Sequence, residues 1–370
     1  MSQRIAFFFP SMVDGGAERV TLNLINHLAE HYSYQLDLVL VEATGAFLEQ
    51  VSGQVRVINL NASRTLFSVR GLVKYINDEK PHAILSGMDY VNVISLISVK
   101  IARHPVRTVA CLHINMSAQL ANPSVFRGRF ITPFVRLTHP WADVIVATSK
   151  GCGEDFLKVT GVGHDNMEFI YNPTITDAIL PRAREQIEHK WFSDGDDTPV
   201  ILAVGRLAHQ KNFALLIDAF AIVSATSNAR LLILGDGADR ADLEKKVVDL
   251  GLSESVDMPG FVDNPYAYMA ACEVFALSSR YEALPAVLIE AMYCGAKCVA
   301  ADCPSGPREI LDNGKYGWLV PVGDKEALAS GLVSALADTQ YQPNPKSWEP
   351  FVDHNVVGQY LSALLGTESS

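Results

Sequence analysis

Apolar runs of four to seven residues alternate along this chain with longer segments whose apolar positions recur every three or four residues. The short runs predict strands at Ile5–Phe9, Gln35–Val41, Val55–Leu60, Ala83–Ser86, Val106–Leu112, Val144–Ala147 and Met167–Ile170. Helical spacing falls between most of them. Ala17–Ala29 carries Val20, Leu24 and Leu28 on one face, and helices are expected over 68–78, 90–102, 125–139 and 151–158. Alternation of this kind predicts a parallel sheet covered on both faces. The rhythm stops at 172–198, a stretch with Asn172-Pro173, Pro181 and the acidic run 193–197, which reads as a linker. It resumes with strands at Val200–Gly205, Arg230–Gly235, Val256–Met258, Val274–Leu277, Lys297–Ala301 and Gly317–Val320. Helices Phe213–Thr226, Ala238–Leu250, 264–271, 286–294, 306–312 and 325–337 lie between or after these strands, and Glu349–Leu364 reads as one more. The expected fold class is α/β, two Rossmann-like doubly wound domains facing a cleft: 1–172, then the linker 173–198, then 199–348. The tail 349–370 is expected to pack back on the first domain. In such folds ligands bind beyond the carboxyl ends of the strands.

Composition narrows the classes. The chain has 370 residues, of which 49% are hydrophobic, enough for two ordinary cores. No apolar run reaches the roughly 20 residues of a membrane span, and Met1-Ser2-Gln3-Arg4 leads straight into a strand, so no signal peptide is expected. The six cysteines contain no Cys-x-x-Cys pair and read as reduced, packed thiols of a cytoplasmic protein; Cys294, Cys298 and Cys303 lack the spacing of a zinc site. Residues 1–172 hold 15 Lys+Arg against 14 Asp+Glu, and residues 173–370 hold 15 against 27, so nucleic acid is not an expected partner. The half nearer neutrality is the one able to meet an anionic surface.

The densest chemistry lies at Ser278–Gly295. After an apolar strand comes a polar loop with Glu282, then Pro285 where a helix is expected to open, with Glu290 inside it and Gly295 closing it. The helix start offers unpaired N–H groups and a positive dipole end between two carboxylates, an arrangement suited to a ligand that is part phosphate and part sugar. Glu residues in a strand-loop-helix are also common surface charge. Arg206 and Lys211, in Gly205-Arg206-Leu207-Ala208-His209-Gln210-Lys211-Asn212, could clamp a diphosphate or simply face solvent. Gly235-Asp236-Gly237 and Pro259-Gly260-Phe261-Val262 are glycine turns at two further strand ends. Near the N-terminus, Asp14-Gly15-Gly16 precedes a helix, which lets backbone approach an anion or forms a plain tight turn. It is neither Gly-x-Gly-x-x-Gly nor a Walker loop. His113 ends a strand, as a hydrogen-bonded structural residue or as a group facing the cleft opposite Glu282. Segment 124–141 interleaves Phe126, Arg127, Arg129, Phe130, Phe134, Arg136 and Trp141, which fits an interfacial helix on an anionic membrane as well as an amphipathic core helix. Asp194-Gly195-Asp196 has the form of a metal-binding Asp-x-Asp, but its place in the linker favours a solvated turn.

Taken together, these residues resemble the retaining nucleotide-sugar glycosyltransferases of glycosyltransferase family 4, which have the two-Rossmann GT-B architecture. Glu282…Glu290 is similar to the family's Glu-x7-Glu motif, and Gly205-Arg206…Lys211-Asn212 to its diphosphate loop. Gly235-Asp236-Gly237, Pro259-Gly260-Phe261-Val262, Glu290–Gly295 and Gly15–Arg19 are similar to its other signatures. The resemblance implies that Arg206 and Lys211 neutralise the diphosphate, together with Leu284, Pro285 and the N–H of Gly16. It implies that Glu290 holds the ribose, that Gly235, Phe261 and Val262 contact the base, and that Gly15 and Gly16 lie on the acceptor side. Glu282 would hold donor-sugar hydroxyls and His113 would lie beside the sugar, as the catalytic pair. Ala283 stands where a glycine is common. Asp302–Glu309 resembles bacterial enzymes that build lipid-linked oligosaccharides and surface polysaccharides.

The expectation is a cytoplasmic, retaining hexosyltransferase without metal or cofactor. Its donor is expected to be a UDP-sugar, with GDP-mannose still open, and its acceptor a glycan or lipid-linked glycan. A second expectation is peripheral attachment to the inner face of the plasma membrane through 124–141. The alternatives are a nucleotide-sugar epimerase of the same fold and a non-catalytic nucleotide- or carbohydrate-binding protein.

Overall fold

In the computed structural model, which describes residues 3–13, 15–121, 128–162, 165–193 and 196–367 (of 128–130 the backbone alone), the first strand explains why its sheet is buried on both sides. In β1 (Arg4–Phe9), Ile5, Phe7 and Phe9 enter one apolar cluster while Ala6 and Phe8 enter another on the opposite face. A strand whose alternate side chains all find apolar neighbours reads as a continuous hydrophobic run. The remaining strands of this sheet are β2 (Gln35–Leu40), β3 (Arg56–Asn59), β4 (Ala83–Gly87), β5 (Arg107–Leu112), β6 (Val144–Ala147) and β7 (Met167–Phe169). All are parallel, in the order β3-β2-β1-β4-β5-β6-β7, so the winding reverses between β1 and β4.

The second sheet comprises β8 (Val200–Val204), β9 (Arg230–Leu234), β10 (Val256–Gly260), β11 (Val274–Leu277), β12 (Lys297–Ala301) and β13 (Trp318–Val320). It is also parallel, in the order β10-β9-β8-β11-β12-β13, and reverses between β8 and β11. Each sheet belongs to its own compact unit: Met1–Thr174 with Phe351–Ser370, and Ile175–Pro350. The C-terminal helix Asp353–Leu365 packs in the first unit. Val356, Val357, Tyr360 and Leu364 are buried with Phe7 and Leu85, worth roughly 1.5–3 kcal/mol for each large side chain. Arg107 Nε donates to Ala363 O at 2.6 Å, and His27 Nδ1 lies 3.0 Å from an Asp353 oxygen.

Several elements differ from expectation for local reasons. β10 runs on through Pro259 to Gly260, with a register break between Asp257 and Gly260. Proline cannot donate to a ladder, and β10 is an edge strand, where that loss is tolerated. The helix expected over 125–139 is observed as Gly128–Thr138, and a separate helix, Met116–Ala121, precedes it; 122–127 lie outside the described residues. The tail breaks at Val352 between a turn at Glu349–Phe351 and the final helix. The linker holds two short helical turns, Ile179–Ala183 and Lys190–Phe192, while Asp194 and Gly195 lie outside the described residues.

Three strands of the first sheet are tied together by charge. Asp37 of β2 is buried and accepts from Arg56 Nε (2.9 Å) and Nη2 (2.7 Å), Arg4 Nη1 (3.0 Å) and Tyr75 OH (2.6 Å). Burial alone would raise its pKa, but hydrogen bonds from Arg56, Tyr75 and Arg4 outweigh it and hold the carboxyl below its usual 3.8. A depressed carboxylate stabilises the fold above its unfolded pKa and loses that contribution as pH falls through its folded value. Asp37→Asn is therefore expected to destabilise the first unit by about 3 kcal/mol at pH 7, with the deficit shrinking below about pH 4. Hydrogen exchange of the β2 amides, followed against pH, checks this; a deficit independent of pH would contradict it.

Candidate active site

The reversal between β8 and β11 brings their two following loops together. Lys211 Nζ donates to Glu282 Oε1 at 2.7 Å, and Ser279 Oγ donates to the same oxygen at 2.6 Å. Gln210 Nε2 reaches Oε2 at 3.3 Å. Glu282 is only 7% exposed. Each carboxylate oxygen has about two acceptor sites, so Oε1 is full and Oε2 keeps one. The loops are stitched further by Ser278 Oγ to Lys211 O (2.8 Å), Arg280 N to Gln210 O (2.8 Å) and Arg280 Nη2 to Asn212 Oδ1 (2.7 Å). Arg206, by contrast, is exposed and has no ion pair among the described residues. Of the two cations in this loop, one is already paired and the other is open.

Close backbone approach explains the glycines. A Cβ on Gly235, which has φ +136°, would lie 2.0 Å from Gly205 O. The loops after β8 and β9 thus touch main chain to main chain. Arg240, not singled out in the sequence, fastens the loop after β9 to the end of β10: it donates to Gly235 O (3.1 Å), Met258 O (3.1 Å) and Asp236 Oδ1 (2.9 Å). Its spacing of four from Asp236 was the available signal. Phe261, just after β10, is 70% exposed and Val262 half-buried.

Pro285 does not occupy the first helical position. It is the N-cap of the helix Ala286–Tyr293, with ψ 100°. A Cβ on Gly306 (φ +90°) would lie 2.5 Å from Pro285 Cδ and 3.0 Å from Ala283 O, so the loop after β12 presses on this turn and holds Pro285 extended. Leu284 is buried in the same turn. Glu290 lies one turn into the helix, 8% exposed, with Tyr266 OH donating to Oε1 at 3.4 Å. Burial, reinforced by Glu290, pushes the neighbouring Cys294 thiol up to about 12.

In the first unit the residues expected from the sequence follow β1 and β5, which have β4 between them. Gly15 caps the helix Gly16–His31, and Gly16 has open space where a Cβ would stand. A Cβ on Gly15 would lie 2.2 Å from an oxygen of the buried Glu18, so a carboxylate stands beside this helix start; Asp14 lies outside the described residues. Desolvation pushes His113 down to about 4, leaving a neutral imidazole at pH 7. The ring packs over Gly87, where a Cβ would come within 2.9 Å of Nε2. Asp89, also missed in the sequence, opens the helix Asp89–Ile101 after Met88 at φ +72°; its Oδ2 is buried without a hydrogen-bond partner among the described residues, and burial pushes the carboxyl up to about 6. In the helix Gly128–Thr138, Phe134 and Leu137 are exposed, and Arg136 Nη2 donates to Val159 O at 2.7 Å. Residues 124–127 lie outside the described residues, and among the described residues no helix is long and apolar enough to cross a membrane. A cavity of about 650 Å³ lies elsewhere in the second unit, near the start of β8, lined by Glu185, His189, Trp191, Asp196 and Glu273; Asp196 comes from the Asp-x-Asp sequence, and none of the expected donor-, sugar- or acceptor-binding residues lines it.

Two doubly wound parallel sheets, each with its polar and glycine loops on the carboxyl edge, define a two-domain α/β protein of the GT-B glycosyltransferase fold. The family profile described as "Glycosyl transferases group 1" matches residues 184–348, and "Glycosyltransferase Family 4" matches residues 14–178. The chain belongs to glycosyltransferase family 4 and is a glycosyltransferase. It is 29% identical over 345 residues to the N-acetylgalactosamine-N,N'-diacetylbacillosaminyl-diphospho-undecaprenol 4-alpha-N-acetylgalactosaminyltransferase of Campylobacter jejuni, covering 91% of each chain. It is 28% identical to the amylovoran biosynthesis glycosyltransferase AmsD of Erwinia amylovora, covering 92% of each. Among solved structures, Anabaena Alr3699/HepE in complex with UDP and glucose aligns with a TM-score of 0.74 at 22% identity, covering 98% of each chain.

The Lys211–Glu282 pair makes a test of the site geometry independent of activity. Lys211→Met strands a nearly buried carboxylate and is expected to destabilise the second unit by about 3 kcal/mol, whereas adding Glu282→Gln to it restores most of that loss. A double-mutant cycle by chemical denaturation reads the coupling, and a value near zero would mean the pair is absent in solution.

Proposed function

We propose that this glycosyltransferase takes a hexose or N-acetylhexosamine from a UDP-sugar and transfers it, with retention of anomeric configuration and without a metal ion, to a lipid-linked oligosaccharide or surface-polysaccharide precursor. The observation that carries this reading is the cluster at the β8–β11 reversal. There a cation pair, a helix start and two nearly buried carboxylates share one unit. Arg206 and Lys211, with the Leu284-Pro285 turn and the free N–H groups of the helix that starts at Ala286, neutralise the charge that grows on the leaving diphosphate. Glu290 accepts from the ribose hydroxyls. The backbone of Gly235, Phe261 and Val262 receives the base. Glu282 uses the acceptor site left on Oε2 for a hydroxyl of the donor sugar.

The first unit supplies the acceptor side. Gly15 and Gly16 form the helix start on the acceptor side; Gly16 has open space where a Cβ would stand, and its N–H can meet a phosphate oxygen. His113 is neutral, so it can exchange hydrogen bonds with a sugar hydroxyl without adding a cation. The lipid-linked acceptor is supported by the undecaprenol-linked substrate in the name of the Campylobacter relative, and the UDP-sugar donor by the UDP and glucose in the Anabaena structure. A lipid-linked acceptor also accounts for a peripheral location at the cytoplasmic face of a membrane.

Thermal shift against UDP, GDP and ADP, with NMR of the product anomer, tests this reading. UDP is expected to give the largest stabilisation, about 2.7 kcal/mol at a hundredfold excess over its Kd. Glu282→Gln and Lys211→Ala, checked for folding, are expected to lower transfer by 10²-fold or more. Wild-type transfer in both variants would remove the assigned roles. An inverted anomer would remove retention, and epimerised donor without acceptor would favour the epimerase reading.

A further inference from the structure

The first unit holds two bulky apolar side chains out in water on a rigid turn. Leu66 and Phe67 are 66% and 62% exposed, although they are adjacent and lie on the 3-10 turn Thr65–Ser68. The turn is pinned from below. Ser68 is buried and its Oγ donates to Thr65 O at 2.6 Å, while Phe67 N donates to Arg64 O at 2.9 Å. Arg64 and Arg70 flank the apolar pair; both are exposed, and neither has an ion pair among the described residues. A fixed, largely exposed apolar tip bracketed by exposed arginines has the composition of an element that enters the headgroup layer of an anionic bilayer.

Its position is informative as well. The turn follows β3, so it stands on the carboxyl edge of the first sheet, the edge that also carries Gly15 after β1, Met88 after β4 and His113 after β5. It also packs against the helix Asp89–Ile101, which begins at that edge. The helix Gly128–Thr138 differs: Arg136, which lies between Phe134 and Leu137 in sequence, is tied to Val159 O. Charge complementarity selects the occupant. Residues 1–172 are close to neutral, with 15 Lys+Arg against 14 Asp+Glu, so arginines here act on an anionic surface without a strongly negative background.

We propose that Arg64–Arg70, led by Leu66 and Phe67, is the element by which the first unit docks on an anionic lipid surface and brings that surface to its acceptor edge. The proposal rests on the lipid-linked acceptor reading above, and it places the contact on this turn rather than on 124–141.

Co-sedimentation of the full chain with phosphatidylglycerol–phosphatidylcholine vesicles, and with phosphatidylcholine alone, tests it. Leu66→Ser/Phe67→Ser is expected to lower partition onto the anionic vesicles by at least about tenfold. Arg64→Gln/Arg70→Gln is expected to lower it roughly tenfold and to abolish the preference for anionic lipid. Phe134→Ser/Leu137→Ser is expected to bind as the wild type does. All three pairs are exposed, and melting curves verify that the variants fold. Wild-type partition of Leu66→Ser/Phe67→Ser overturns the proposal, as does loss of binding in the Phe134/Leu137 variant alone. A dimer in sedimentation velocity that Leu66→Ser/Phe67→Ser dissolves, with no vesicle binding by the wild type, assigns the tip to a second copy of the chain and also overturns it. UDP stabilisation is measured on the same samples. Its absence with vesicle binding intact sinks the donor reading alone, and its persistence in variants that have lost vesicle binding keeps the two readings separate.

Discussion

A parallel strand buried on both faces can present chemistry only at its ends. In both units of this protein every alternate side chain of the central strands is committed to an apolar cluster, as β1 illustrates with Ile5, Phe7 and Phe9 against one face and Ala6 and Phe8 against the other. Polar function is thereby driven to the loops on the carboxyl edge. Helix starts, which carry spare N–H groups, lie on that same edge because each strand hands over to a helix there. The reversal of winding then decides which loops meet: those after β8 and β11 in one unit, those after β1 and β4 in the other.

At the first of these junctions, electrostatics and steric closeness act together. Lys211 and Glu282 neutralise one another in a site with little water, and Ser279 and Gln210 occupy most of what remains of the carboxylate. A buried carboxylate of this kind is stable only while its partners stay in place. The surrounding backbone is therefore held tightly, with Gly235 against Gly205 and Gly306 against Pro285 at distances that admit no Cβ. The same loops leave Arg206 open and one Glu282 acceptor site unused. Lys211 gives Glu282 one of its three ammonium donors, so the pairing does not by itself remove the lysine from the reach of an anion.

The second junction has another character. Glu18, Asp89 and a neutral His113 stand along the edge that also carries the Gly15-Gly16 helix start. The Glu18 carboxylate beside Gly15 can accept from hydroxyls at the same helix start as the Gly16 N–H. Asp89, whose buried Oδ2 has no hydrogen-bond partner among the described residues and which follows Met88 at φ +72°, is a local strain that the first unit tolerates at that edge.

Periodicity in the amino-acid sequence determined the two parallel sheets. The order of strands and helices was legible because short apolar runs and period-3.6 patterns are local properties of the chain. Motif spacing also pointed to the family, since Glu282…Glu290 and Arg206…Lys211 are short-range relations on single elements. Tertiary structure decided what those side chains are free to do. That Lys211 and Glu282 hold each other across 71 positions, that Pro285 caps rather than begins its helix because Gly306 presses on it, and that Arg240 ties the loop after β9 to the end of β10 are consequences of strand order and close approach. No window of sequence contains the partner of a long-range contact, so the pairing of charges and the strain in the turns emerge only when the strands are brought side by side.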